Sequence, residues 1–428
     1  MPPLLRILLL AAVALVAANV PPCAVAAQVD THSSAPCPTV TPLFGLMPFL
    51  LWLGVLPSPV IAAKVADNDT STSIVIRPDP NDQITCGTTP VKTIKDLVFT
   101  TRTLSSGKQM DLLMDLQVPQ TTARKALVVY VTGGGFIQAP KESALNLRTY
   151  VAEAGFVVAS VQYRTISDGA NYRDGVADIK SAVRYLRANA DKYGIDSKRI
   201  AVWGESAGGY LVAMVGVTNG LKAFDVGNNL DQSSDVQAVV DKFGASDTSR
   251  LSADFDPQAR EASDTKDNPI AKYIGLDPTS HRLDAHVAAT VANPLTYVTR
   301  SDPPFLIFHG SQDKLISPSQ TLILHNALTS AGARSTRYVL EGAGHGDLSF
   351  LGDSKAGLPW STNQTMGLIV SFLRQSLGDS GDRSLVIGPT SPHLTTGVCR
   401  ATLRRSPVRA EARRELVRSQ RWQGSHAD

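Results

Sequence analysis

Four short stretches of this 428-residue chain carry residue types that can do chemistry together. Gly204-Glu-Ser-Ala-Gly208-Gly209 offers a serine hydroxyl among glycines, and Asp313 ends the turn His309-Gly-Ser-Gln-Asp313. His345 lies in Glu341-Gly-Ala-Gly-His345-Gly346, and Thr132-Gly133-Gly134-Gly135-Phe136 offers a run of backbone N–H groups. A serine hydroxyl is a poor nucleophile at neutral pH, so it needs a base to take its proton and an acid to orient that base. Glycines let backbone N–H groups approach a developing oxyanion closely. The chemistry these types imply is acyl transfer through an acyl-Ser206 intermediate, with His345 as base and Asp313 as acid. The N–H groups of Thr132 to Phe136, with that of Ala207, are the expected oxyanion donors. Because the base must be neutral, activity is expected to fall on acidification, and the reaction calls for no metal or organic cofactor.

A bare G-x-S-x-G is weak evidence, since glycine and serine are common. Its setting adds the weight. Arg199-Ile-Ala-Val-Trp203 reads as a buried strand and Tyr210 to Val217 as an apolar helix, the context in which a sharp turn lifts a serine above a sheet. The lysine of a phosphate loop is absent. Seven other histidines compete for the role of base. His309 sits at a strand end and reads as structural, His325 falls in a helix, and His281 and His286 lie in an irregular segment, while His32, His393 and His426 are near the ends. Asp302 and Asp347 are the alternatives to Asp313.

The elements that must position these residues alternate along the chain. Leu127 to Val131, Phe156 to Val161, Val236 to Val240, Pro304 to Phe308 and Thr336 to Leu340 are short apolar runs of the kind that form strands covered on both faces. Between them fall helices at Ala144 to Ala154, Gln320 to Ala331 and Asn363 to Leu377. Val176, Ile179, Ala182, Val183, Leu186 and Ala190 repeat at helical spacing. This is an α/β pattern and predicts a mostly parallel sheet flanked by helices. Ser246 to Arg300 interrupts the alternation, and reads as a small lid insertion or as a plain surface excursion.

Taken together, these motifs resemble the α/β-hydrolase carboxylesterases, in particular the carbohydrate- and feruloyl-esterase-like and hormone-sensitive-lipase-like branches. Val161-Gln-Tyr-Arg164, Tyr193-Gly-Ile-Asp196 and Asn293-Pro-Leu-Thr-Tyr-Val298 resemble connecting segments of the same enzymes. The resemblance covers Lys95 to Leu377. It implies the α/β-hydrolase fold, a small-molecule or carbohydrate-linked ester as substrate, the roles given above to Ser206, Asp313 and His345, and oxyanion donation by Gly134, Gly135 and Ala207. The family usually has histidine where this chain has Thr132.

The ends of the chain differ from its middle. Arg6, an apolar run from Ile7 to Val20 and small residues at Ala24, Ala26 and Ala27 follow the order of a secretory signal peptide, so residues 1–27 are expected to direct export to a secreted or periplasmic location. Residues 28–90 read as a linker containing a second apolar stretch. That stretch, residues 43–63, is broken by Pro48, Pro57 and Pro59 and reads as a membrane anchor, an uncleaved linker or a second signal. The catalytic domain is expected over 91–378, followed by an Arg-rich disordered tail over 379–428. Of four cysteines, Cys37 and Cys86 are placed to form one disulfide, and no spacing suits zinc.

Composition narrows the functions further. The chain is 43% hydrophobic with a formal net charge of +3. Residues 400–421 hold eight arginines, opposed over 400–428 only by Glu411, Glu415 and Asp428, so the rest of the chain is net acidic. A body of that charge gives no reason to expect nucleic acid as a partner. Two other readings share the fold. A serine peptidase of prolyl-oligopeptidase type usually has an aromatic residue where this chain has Ala207, and carries a propeller domain. A non-catalytic binding protein would not need all three positions filled.

Overall fold

A computed structural model describes residues 35–39, 62–263, 268–274, 291–346 and 355–378. All of them belong to one unit spanning residues 34–428. The strands are β1 (Ala35–Pro36), β2 (Ile74–Ile76), β3 (Thr85–Cys86), β4 (Val91–Thr103), β5 (Gln109–Pro119), β6 (Lys125–Val131), β7 (Val157–Val161), β8 (Ile195–Glu205), β9 (Ala238–Lys242), β10 (Phe305–Gly310) and β11 (Ser335–Leu340). Nine of these form one sheet in the order β2-β11-β10-β9-β8-β6-β7-β5-β4. β5 pairs antiparallel with both β4 and β7, and the other pairings are parallel.

The central strands are buried on both faces, which is why they read as unbroken apolar runs. Period-two geometry divides each strand between two cores. Leu127, Val129 and Val131 of β6 face one way, among Val176, Ile179 and Val183 of α2 (Tyr172–Ala188), Leu211 and Val215 of α3 (Ala207–Val217), and Leu324 and Leu328 of α4 (Ser319–Ala331). Ala126, Val128 and Tyr130 face the other way, with Val151 of α1 (Leu145–Glu153) and Ile369 and Leu373 of α5 (Asn363–Leu377). Helix α2 starts on a reciprocal cap, in which Asn171 accepts from the Arg173 N–H and Asp174 accepts from the Asn171 N–H.

Several boundaries differ from those expected. β9 ends two residues later than the apolar run Val236–Val240, because Asp241 and Lys242 lie inside the sheet. Lys242 is tolerated there by its 2.6 Å ion pair with Glu205. The antiparallel pair β4 and β5 was not anticipated: β4 is an edge strand with mixed exposure and two irregularities, so it shows neither a clean alternation nor an apolar run.

The folded unit also begins before residue 91. Within the stretch read as a linker, β2 adds the outermost strand beside β11, and Cys37 is bonded to Cys86 as β1 pairs with β3. Ala62 packs with Phe255 and Ala259. Residues 1–27, most of 43–63 and the tail 379–428 lie outside the described residues. Among the described residues no helix is long and apolar enough to cross a membrane.

Candidate active site

Strand β8 delivers Ser206. Its last residue is Glu205, and α3 begins at Ala207, so Ser206 must reverse the chain in a single step. It does so at φ 54° and ψ −118°, a sparsely populated conformation for a residue with a side chain. The N–H of Ser206 is anchored on the Lys242 carbonyl of β9 at 2.9 Å, and its own carbonyl accepts from Tyr210 N at 3.0 Å. The surrounding glycines are steric requirements. A Cβ at Gly204 would run into the Gly208 carbonyl, one at Gly208 into the Val131 and Thr132 carbonyls, and one at Gly209 would lie 2.9 Å from the Lys242 carbonyl oxygen. The turn can therefore sit against the ends of β6 and β9 only with glycine at these positions.

His345 and Asp313 come from the loops after β11 and β10, neighbouring strands in the sheet. His345 Nε2 is 2.7 Å from Ser206 Oγ, and its Nδ1 is 2.7 Å from Asp313 Oδ2. The other carboxylate oxygen of Asp313 accepts the backbone N–H groups of Leu315 at 2.9 Å and Ile316 at 3.0 Å. Burial opposes ionisation of Asp313, but the adjacent His345 and the hydrogen bonds from His309 and His345 outweigh it and hold the carboxyl well below the usual carboxylate range. An ionised Asp313 fixes the proton on His345 Nδ1, which leaves Nε2 free to accept from the serine hydroxyl.

The glycine loop follows β6 and lies against Ser206: a Cβ at Gly133 would sit 3.2 Å from Ser206 Cβ. Gly134 at φ 141° and Gly135 at φ 60° adopt backbone that a side chain would strain. Among the described residues, the N–H groups of Gly134, Gly135 and Ala207 have no acceptor. Ala207 adds the positive end of α3. Thr132, where the resembling family has histidine, is buried, and its carbonyl accepts the Tyr163 hydroxyl at 3.1 Å.

The remaining sequence alternatives are placed elsewhere. Asp302 caps its own turn through Thr299 N, and His325 bonds Ser335 within the core. His309 is buried beneath the acid loop. Asp347, His281, His286, His32, His393 and His426 lie outside the described residues. Among the described residues, no cluster of His, Cys, Asp or Glu could hold a metal ion.

Two groups at the site went unread in the sequence. Phe243, at φ 46°, packs its ring 4.6 Å from the His345 imidazole and 4.7 Å from the Trp360 ring, so it walls the base on one side. Tyr163 belongs to the segment Val161-Gln-Tyr-Arg164, and that motif was the one signal available: Arg164 beside it pairs with Asp174 and the buried Asp178 while Tyr163 ties down the glycine loop. In the interrupting segment 246–300, Tyr273 stacks on Phe136 at 4.4 Å and donates to the Arg164 carbonyl. Part of that segment therefore packs directly behind the glycine loop. The residues 264–267 and 275–290 lie outside the described set.

The sequence profile of the BD-FAE family matches residues 114–328. The chain is 31% identical over 224 residues to Esterase LipC of Mycobacterium tuberculosis, covering 51% of this chain and 52% of that protein. It is 26% identical over 292 residues to a probable isoprenylcysteine alpha-carbonyl methylesterase, ICMEL1, of Arabidopsis thaliana, covering 68% of this chain and 60% of the relative. The chain thus spans between half and two thirds of the length of these relatives. Among solved structures, a truncated form of a carbohydrate esterase from gut microbiota matches with a TM-score of 0.57 at 27% identity, covering 71% of this chain and all of the other.

Proposed function

Because the chain belongs to the BD-FAE family and carries the α/β-hydrolase fold, we propose that it is a carboxylic ester hydrolase that works through an acyl-serine intermediate on Ser206. The observation that carries this reading is the unbroken line Ser206 Oγ, His345 Nε2, His345 Nδ1, Asp313 Oδ2, with both links at 2.7 Å. Ser206 Oγ attacks the ester carbonyl carbon as its proton passes to His345 Nε2. The carbonyl oxygen takes up negative charge beside the N–H groups of Gly134, Gly135 and Ala207. His345 returns the proton to the leaving alcohol, the C–O bond breaks, and the acyl group stays on Ser206. Water then enters, gives a proton to His345 and adds to the acyl carbon, and the serine leaves with that proton. Asp313 remains ionised throughout.

The substrate class we assign is a small-molecule or carbohydrate-linked ester, in keeping with the esterase, methylesterase and carbohydrate esterase names of the similar proteins. We place the enzyme outside the cytoplasm, exported by residues 1–27. The Cys37–Cys86 bond supports an oxidising compartment, and a membrane anchor at residues 43–63 is the alternative.

The test is covalent labelling with a fluorophosphonate followed by an ester panel. The wild-type chain should be labelled on Ser206, Ser206→Ala should not, and short acyl, feruloyl and acetyl-sugar esters should be cleaved in preference to amides. A folded wild-type chain that resists the label overturns the proposal.

A further inference from the structure

Behind the triad runs a second line of buried hydrogen bonds that the steps above leave unused. His309, the penultimate residue of β10, is completely buried. Its Nε2 lies 3.1 Å from Asp313 Oδ2 and 3.1 Å from the Ile316 carbonyl oxygen. A carbonyl only accepts, so Nε2 carries the proton and donates to Ile316, with the Asp313 carboxylate in close contact beside it. On the other side of the ring, Nδ1 is 2.9 Å from Thr321 Oγ1, which itself accepts the Arg337 Nε–H at 2.9 Å. The Thr321 hydroxyl proton has two acceptors in reach, His309 Nδ1 at 2.9 Å and the Pro318 carbonyl at 3.3 Å, and the nearer is the imidazole. Arg337 is only 1% exposed, and its three hydrogen bonds all go to neutral oxygens: Thr321, Ser73 Oγ at 2.7 Å and the Pro318 carbonyl at 2.9 Å. An uninterrupted chain thus leads from a buried guanidinium to the triad acid.

We propose that His309 is a positioning residue for the ester hydrolysis assigned above, propping the loop that carries Asp313 so that the Asp313 oxygen facing the base stays in line with His345. The proposal rests on that assignment of function. Its core is that His309 Nε2 holds the Ile316 carbonyl at 3.1 Å, the Ile316 N–H holds Asp313 Oδ1 at 3.0 Å, and Asp313 Oδ2 meets His345 Nδ1 at 2.7 Å. With the peptide beside it fixed, the carboxylate keeps one orientation toward the base. The charged and titratable groups that face His309 are Asp313 on its own loop, Arg337 on β11 and His345 on the loop after β11, while Asp254 and Asp69 act on Arg337 through space. Burial first, then Arg337 and His345, depress protonation of His309, against the pull of Asp313, and keep it in the donor form described.

The experiment compares wild type, His309→Gln, His309→Leu and Thr321→Val in the full chain at one neutral pH, following kcat and KM separately for a short acyl ester, and the rate of fluorophosphonate labelling. His309→Leu should lower kcat and the labelling rate about tenfold with KM unchanged. His309→Gln, whose Nε2–H can reach the same carbonyl, should restore most of the loss. Thr321→Val keeps the imidazole but removes its anchor, and should lower both rates by a smaller amount. It also provides the test if His309→Leu fails to fold. Rates equal to wild type after correction for folded fraction overturn the inference, as does a glutamine variant no better than leucine. A wild-type chain that takes no label instead overturns the function itself, so the two failures are told apart.

Discussion

Gly208→Ala is the sharpest test of the geometry described. An added Cβ would lie 2.7 Å from the Thr132 carbonyl oxygen and closer still to that of Val131, inside the 3.0 Å that real Cβ contacts respect. Both obstacles are backbone, at the end of a central strand, and neither can rotate away. Relief requires α3 and the end of β6 to part by on the order of 1 Å, and misplacing catalytic groups by that much can cost about a hundredfold in rate. Overpacking of this kind typically costs about 1–3 kcal/mol of stability. Because Thr132 leads directly into Gly133, whose Cβ position is 3.2 Å from Ser206 Cβ, the same shift pulls the glycine loop away from Ser206. The substitution should therefore lower kcat/KM about a hundredfold and the unfolding free energy by about 3 kcal/mol. Hydrolysis of a short-chain p-nitrophenyl ester and urea unfolding at neutral pH measure the two. An alanine variant within twofold of wild type in rate, and equally stable, would refute the claim that the glycine is there for contact with β6.

Other substitutions probe different parts of the fold. Gly367 lies within α5 with nothing inside 4 Å of its added Cβ, so Gly367→Ala should stabilise the protein by about 1 kcal/mol in the same urea assay, and any loss would contradict the open space described. Asp241 is fully buried in β9 with Oδ2 unpartnered among the described residues, and burial pushes its carboxyl up to about 7 against the bond from Gly244 N. A folded-state value raised above the unfolded one gives stability that is complete below about pH 4 and lost as pH rises through 7, up to about 4 kcal/mol. Asp241→Asn should flatten that part of the stability profile, and an unchanged slope between about pH 4 and 7, the window between the unfolded and folded values, would count against it. The Cys37–Cys86 bond closes a separation of 49 residues, so Cys37→Ser should cost roughly 2–4 kcal/mol, read as the difference between oxidised wild type and the variant. Equal midpoints would show that the N-terminal strap adds nothing.

The sequence fixes whatever depends on contacts a few residues apart. The pattern Gly204-Glu-Ser-Ala-Gly-Gly209 was legible because strand, serine turn and helix follow one another directly in the chain, although only Gly204 clears a neighbour inside that turn while Gly208 and Gly209 clear the ends of β6 and β9. The parallel core was legible because strands covered on both faces must be apolar throughout, and β6 and β7 are. Asp313 and His345 could be read from glycine-containing turns following successive strands, in the chain order Ser, Asp, His that the resembling fold shows.

What could not be read depends on pairings between distant segments. The added strand β2 joins β11 across more than half the chain, and β4 carries too mixed a pattern to declare itself. Asp241 and Lys242 argue against a strand until Glu205 is seen to neutralise the lysine. His309 read as a structural histidine at a strand end, since its meaning lies in Asp313, Thr321 and Arg337 meeting around one ring. The sequence by itself determined which serine stands on a strained turn and which loops could serve it, because those are local steric and chemical demands. Tertiary structure alone decided that the loops after β10 and β11 bring Asp313 and His345 into line with Ser206 and what stands behind them, because charge and hydrogen bonding in a buried site are set by neighbours far apart in the chain.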